Sequence, residues 1–229
     1  MKVWTKIATL GLALALSACV SSEPASRGVS DDALTLASRG TGAIPQGAGP
    51  RVLAPLYTVR EVRVDVPRDL RVSEANSYYP MADIVWRGDP VGDRYAQITD
   101  IFQTAAARAT APMQGPREAV VSIQLVRFHG VTERTRYTVG GVHDMVYDLT
   151  VLDAATGAVI DGPRRIEADV RAAGGQAAID EEMAGRTQKV VVTERLVDSL
   201  RRELSGNVTD PALVARAMQS PVEPVLVSR

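Results

Sequence analysis

Val142-His143-Asp144-Met145-Val146-Tyr147-Asp148-Leu149-Thr150-Val151-Leu152-Asp153 is the stretch whose reading decides the fold. Met145, Tyr147, Leu149 and Val151 alternate with Asp144, Val146, Asp148 and Thr150. That period of two gives a β-strand one apolar face and one more polar face. A half-buried strand of this kind needs neighbours with matching faces. The residues before and after it supply them. Ala119 to Phe128 repeats the pattern with Val121, Ile123 and Leu125 on one side. After the short turn Asp153 to Gly157, Val159 to Arg171 reads as a further strand, with Ile166, Ala168 and Val170 inward. Pro163 marks a bulge or an edge within it, because proline cannot donate to a ladder. Farther upstream, Val62, Val64 and Val66 alternate with Arg63 and Asp65 until Pro67 stops the run.

Two segments change period. From Asp93, the residues Tyr95, Ile98, Phe102, Ala105 and Ala109 recur at helical spacing, and Pro112 ends the run. From Thr187 to Leu204, an apolar stripe of Val190, Val197, Leu200 and Leu204 predicts a second helix, with Thr187 as N-cap and Gly206-Asn207 as its stop. The order is β-α-β-β-β-α. Strands with one apolar face need a cover, and two amphipathic helices of matching length provide one. The expected fold is therefore a two-layer α+β sandwich, an antiparallel sheet with both helices on one face. Ile98, Phe102, Val197 and Leu200 should meet Met145, Tyr147, Leu149 and Val151.

The front of the chain has a different composition. Lys2 and Lys6 precede an apolar run from Ile7 to Leu16, which closes on Leu16-Ser17-Ala18-Cys19. A basic start, a short apolar centre and a small-residue cleavage site are the layout of a secretory signal peptide. About ten apolar residues are too few to span a bilayer, which takes roughly twenty. Ending on the chain's only cysteine, the site resembles the bacterial lipobox. That resemblance implies cleavage before Cys19, acylation of its thiol and amino group, and a mature protein held by acyl chains. Each buried methylene contributes about 0.8 kcal/mol, and several chains together make a stable anchor. Val20, where an aspartate would favour inner-membrane retention by the enterobacterial rule, points to the outer membrane.

Four segments follow: a signal peptide over 1–18, a tether over 19–55 starting at Cys19, an α+β domain over 56–206 and a tail over 207–229. The tether is rich in Ser, Gly, Ala and Pro and cannot bury enough surface to order itself. Its flexible reach is on the order of 30 Å. The tail has room for a short helix beginning at Asp210-Pro211, with Ser220 to Arg229 extended.

Composition excludes several classes. With Cys19 lipidated, no cysteine remains for a disulfide, so stability rests on the hydrophobic core. Net charge is −1, and losing Lys2 and Lys6 with the signal takes it to −3, which suits no nucleic-acid binder. Arg60-Glu61 and Arg63-Val64-Asp65 alternate charge along a strand, as a solvated face does.

Candidate chemistry is sparse. His129 and His143 are the only histidines. Facing one another across a hairpin beside Asp144, they would form a weak metal or proton-relay site, because a third ligand at metal spacing is missing. No Gly-x-Ser-x-Gly elbow occurs, and Gly140-Gly141 and Gly174-Gly175 read as strand ends. Arg87-Gly88-Asp89 reads as a turn. The distinctive stretch is the connection from Ser73 to Asp93, which holds Tyr78, Tyr79 and Trp86. Long connections without their own elements are often functional. Tyrosine, tryptophan and arginine are favoured at the centres of interfaces. Two readings stand: a docking loop, with Tyr78, Tyr79 and Arg87 meeting a partner and Trp86 anchoring from beneath, or an edge strand Ile84-Val85-Trp86 with the indole in the core.

The element order, with Tyr57-Thr58-Val59, Val64-Asp65-Val66-Pro67-Arg68-Asp69-Leu70 and Trp86 ahead of the first helix, resembles the auxiliary lipoproteins of bacterial ABC-type transport systems. These are the PqiC-like proteins and relatives of the LptE and TolB N-terminal folds. The chain departs from that pattern after Leu70, at Ser73-Glu74-Ala75-Asn76-Ser77-Tyr78-Tyr79. The resemblance implies a non-enzymatic accessory lipoprotein with an envelope protein as partner, no cofactor and no metal. The alternatives are a binder of lipid or another apolar ligand held between helices and sheet, and a histidine-based hydrolase or metal enzyme.

Overall fold

The computed structural model describes residues 52–208. Cys19 and its anchor, the signal peptide, most of the expected tether and the tail beyond Val208 lie outside the described residues. Within them the strands are β1 (Val52–Pro55), β2 (Tyr57–Asp65), β3 (Ile84–Val85), β4 (Arg117–His129), β5 (Gly141–Asp153), β6 (Val159–Glu167), β7 (Val170–Ala172) and β8 (Ser205–Val208). The helices are α1 (Arg94–Thr110), α2 (Glu133–Arg136), α3 (Gln176–Met183) and α4 (Gln188–Glu203).

The α+β expectation holds, with one correction to the sheet. The main order is β2-β4-β5-β6, and β4, β5 and β6 are antiparallel as expected. β2, however, runs parallel to β4, with Tyr57 opposite Arg117 and Asp65 opposite Gln124. The reason is the helix between them: a strand–helix–strand crossover returns the chain to the end it started from, and strands joined that way run parallel. The sheet is mixed.

Asp93 opens α1 with its side chain accepting from the N–H of Ala96, and Thr187 opens α4 by accepting from that of Val190. Both helices place their apolar stripes on the same core as the odd-numbered residues of β5. Phe102 meets Tyr147 edge to face at 5.5 Å, and Trp86 meets Phe128 the same way at 5.4 Å. Val190 is only half-buried, whereas Val192 and Leu196 are fully buried, so the stripe on α4 is rotated slightly from the expected one. The hydroxyls of Tyr147 and Ser199 satisfy each other at 2.9 Å within that core.

Three segments differ from the sequence reading, and each has a local cause. Val159 to Arg171 is two strands, β6 and β7. At the break the Asp169 carboxylate, 3.3 Å away, accepts the N–H of Met145 where a ladder carbonyl would. Pro163 sits on the outermost strand, opposite the register shift at Leu149 and Val151. At the domain's margins, Val52–Pro55 pairs antiparallel with Ser205–Val208. That ribbon takes four residues from the expected tether and turns the helix stop at Gly206-Asn207 into a strand. Leu56 N–H donates to the Leu204 carbonyl at 3.1 Å, which ties the ribbon to the end of α4.

Candidate functional site

The connection from Val66 to Asp93 proves to be a strap held by many single contacts. Its first turn closes with Leu70 N–H on the Pro67 carbonyl, and the Tyr95 hydroxyl donates to the Leu70 carbonyl at 2.7 Å. The Asp83 carboxylate accepts the N–H of Arg71 at 2.9 Å, which holds it below the usual carboxylate range. Ile84–Val85 then pairs parallel with Phe128–His129. This is the edge-strand reading of the stretch, and the indole of Trp86 is wholly buried. Gly88 and Gly130 flank the ring so closely that a Cβ on Gly88 would fall on the indole. The indole N–H donates to Asp89 at 2.7 Å.

Charge pairs fasten the rest. Glu74 lies between Arg94, at 2.6 Å, and Arg87, at 3.0 Å. Arg94 is buried, and its guanidinium holds Glu74 below the usual carboxylate range. Arg87 also binds Glu133 of α2 at 2.8 Å. Lys189 of α4 reaches Asp89 at 3.2 Å and Asp100 at 3.3 Å. A shallow, open cleft of about 360 Å³ lies over this network, between Arg87, Val91 and Glu133. The structure therefore gives Arg87 a place inside the clamp, with its guanidinium committed to two carboxylates.

Tyr78 and Tyr79 are placed differently. Both are about half exposed. Thr135 donates from its hydroxyl to the Tyr78 carbonyl at 2.8 Å, and the Arg134 guanidinium lies 4.5 Å above the Tyr78 ring. Tyr79 stacks on the His129 ring at 4.4 Å, and Arg127 donates to its hydroxyl. His129 is buried beneath, its Nε2–H donating to the Pro80 carbonyl at 2.8 Å. Backbone and one face of each ring are thus fixed, and the other face meets solvent.

The two histidines do not converge. His129 pairs across the ladder with Asp144 on the sheet face away from α1 and α4, while His143, next along β5, points to the helix side. His143 accepts the Val131 N–H at its Nδ1, at 3.4 Å. Burial, with the Arg136 charge second, pushes it down from 6.5 to about 4. Asp144 is spent on Arg127 at 2.8 Å. Among the described residues no group of three His, Cys, Asp or Glu side chains could hold a metal ion.

Several exposed apolar side chains escaped the sequence reading. Met81 is 84% exposed and Val139 75%; Tyr137, Val142, Ile179 and Met183 are exposed as well. Tyr137, Val139, Ile179 and Met183 sit on α2, α3 and the loop after α2, Met81 on the strap before β3, and Val142 on the solvent side at the start of β5. Contacts gather them: the Tyr137 hydroxyl donates to Glu182 on α3 at 3.0 Å, Gly175 N–H donates to the Arg136 carbonyl, and Val142 lies opposite Arg171. All lie where β4 ends and β5 begins. The β1–β8 ribbon lies at the other end, where β2 and β4 begin, about 40 Å away along a thirteen-residue strand. The apolar end is a rim of tyrosine, methionine and valine.

The chain belongs to the DUF6778 family, a family of unknown function, whose model matches residues 57–220. No curated protein matches it. Among solved structures it is similar to protein XCC0632 from Xanthomonas campestris, of family DUF330. The identity is 9% and the TM-score 0.38, covering 73% of this chain and 91% of that one. It is also similar to a minor lipoprotein from Acinetobacter baumannii, at 10% identity and a TM-score of 0.28, covering 65% of this chain and 97% of that one.

Proposed function

We propose that this DUF6778 protein is a non-enzymatic lipoprotein of the bacterial envelope, anchored through Cys19, whose domain holds a protein partner against the rim around Tyr78, Tyr79, Met81 and Val139. One observation carries the reading: exposed apolar side chains gather at the end of the sheet opposite the ribbon through which the anchored N-terminal segment enters. Scattered surface apolars need no explanation, but a group of tyrosine, methionine and valine on a fixed backbone is what partner surfaces are made of. The signal peptide and lipobox-like residues support the anchor. No helix among the described residues is long and apolar enough to cross a membrane. Val20 favours the periplasmic face of the outer membrane. The motifs around Tyr57, Pro67 and Trp86 favour an accessory role in envelope transport or assembly. The reading as a binder of apolar ligands has less behind it. Trp86, Phe102, Phe128 and Tyr147 fill the space between helices and sheet where a ligand would lie. Arg87, engaged by Glu74 and Glu133, passes from docking residue to support of the rim.

The test is crosslinking in intact envelopes. Met81→Glu with Val139→Glu puts two charges on the rim at positions whose side chains are mostly in water. The double variant should be acylated and folded as wild type, yet crosslink to its partner at least about tenfold less, since two charges buried against the centre of a partner surface cost as much as a hot-spot truncation, about 2 kcal/mol or more. Wild-type crosslinking by a folded double variant would place the partner elsewhere.

A further inference from the structure

We infer that the opposite end of the domain is a seat for anionic phospholipid headgroups, built by Arg108, Arg201 and Arg202. The inference rests on the proposed anchor at Cys19 and concerns what the domain does once tethered.

Charge pairing separates these arginines from most of the others. On the sheet face and strap, guanidinium groups meet carboxylates: Arg60 with Glu118, Arg117 with Asp153, Arg165 with Asp148, Arg87 and Arg94 with Glu74. The nearby acids Asp161 and Glu203 are both held by Arg164. Arg108, Arg201 and Arg202 make no ion pair with any described residue. Arg108 and Arg202 are exposed. Arg201 donates to the Arg108 carbonyl at 3.1 Å, which brings the last turns of α1 and α4 together. Asp198, one turn earlier on α4, is exposed and makes no ion pair with any described residue; one carboxylate against three guanidinium groups leaves positive charge in excess among the described residues.

A cation in a last helical turn is ordinary, because it offsets the negative end of the helix dipole. The arrangement of the two helices is the further point. Both end at the same pole, so their terminal arginines add into one patch. That pole is also where β1 begins and β8 ends, with Val52 directly opposite Val208. The N-terminal segment that carries Cys19 therefore joins the domain beside the patch. A tether confines the domain near the bilayer, so even a weak attraction is presented at high effective concentration. Basic groups gain from an anionic surface over about a Debye length, and salt removes that gain. Seated in this way, the domain would turn its apolar rim away from the lipid and toward the periplasm.

The experiment uses the acylated full-length chain in vesicles. Because Cys19 is the only cysteine and is consumed by acylation, Ala111→Cys at the end of α1 gives a single dye site next to the patch. Energy transfer to a lipid-surface acceptor then reports seating. Vesicles containing phosphatidylglycerol should give clearly higher transfer than pure phosphatidylcholine vesicles, and high salt should erase the difference. Arg108→Gln with Arg202→Gln, which leaves Arg201 on its carbonyl, should reduce the seated fraction at least about fivefold. Circular dichroism melting checks that this variant folds. A folded, membrane-bound protein whose transfer ignores lipid charge and salt would overturn the seat and leave the anchor standing. A chain that does not partition into vesicles at all would remove the anchor and the seat together.

Discussion

The hairpin of β4 and β5 and the strap from Val66 to Asp93 lie side by side but are held by opposite means. In the hairpin, ten registered residue pairs, from Ala119 with Asp153 to His129 with Asp144, repeat one backbone bond pattern over a continuous apolar face. Many residues share the work, so its position is encoded redundantly. The strap has two residues of registered strand, β3, and otherwise relies on single contacts, among them one indole, one histidine, the Tyr95 and Thr135 hydroxyls and a few guanidinium–carboxylate pairs. Repetition makes an element robust and legible. Point contacts make it specific and vulnerable, and they place exposed rings such as Tyr78 and Tyr79 where no periodic element could.

The sharpest way to break this contrast is to remove the indole. Trp86→Ala leaves a cavity under β3 that Gly88 and Gly130 cannot fill, and large-to-small changes of this kind cost about 3–5 kcal/mol. Denaturant unfolding should show that loss. A change of only a few tenths would mean that the strap is held by its charges alone. The next effect belongs to the hairpin. His143 titrates near 6.5 when unfolded but only at about 4 when folded, so unfolding takes up a proton between those values. Its contribution is complete above pH 6.5 and is lost as pH falls toward 4, by up to about 3 kcal/mol. In His143→Phe that slope of unfolding free energy against pH should flatten. An unchanged slope would assign the acid sensitivity to other groups.

The same contrast explains what the sequence could reveal. The strands around Val121, Tyr147 and Val62 and the two long helices were legible because each repeats a signal over many residues, and Thr187 marked the start of the second helix. The parallel pairing of β2 and β4 follows from the crossover rather than from any residue, and local patterns do not carry it. β1 and β8 were missed because neither has a period of its own, and each exists through a partner about 150 residues away. At the proposed site, tyrosine and tryptophan drew attention to the segment from Ser73 to Asp93. Which of them face solvent depends on Thr135, Arg134 and His129, all distant in sequence. The placement of Met81, Val139 and Met183 at one end of the sheet left no local trace, because single exposed apolar residues look alike in sequence wherever the fold puts them.

A smaller effect tests the strap's charges. Glu74→Gln leaves Arg94, whose side chain is buried, without its carboxylate. Because Glu74 is itself partly exposed, water screens the pair, and the expected loss is about 1–2 kcal/mol, less than for a fully buried pair. Its sign with pH is set by the lowered carboxylate. The contribution is complete above about pH 4.3, the usual unfolded value, and is lost as pH falls through the lower folded one. The wild type should therefore lose stability in that acid range faster than Glu74→Gln does. Equal acid slopes in urea unfolding would show that the pair contributes nothing to folding.

The smallest effect on stability belongs to the rim. Met81→Glu and Val139→Glu alter side chains that are mostly solvated, and surface changes away from caps, cores and strained positions usually stay within about 0.5 kcal/mol. Tyr79→Ala makes the useful comparison, because it removes the stack on His129 and the acceptor of Arg127, and should cost more than either glutamate. Thermal melts of the three variants therefore divide the rim into supporting and free residues. If Met81→Glu or Val139→Glu melts well below wild type, those side chains belong to the packing of the strap and of α2. The rim would then be an outgrowth of the core, not a surface left open for a partner. If both melt with wild type while Tyr79→Ala falls, the free part of the rim is defined, and loss of crosslinking in the glutamate variants can be read as loss of contact.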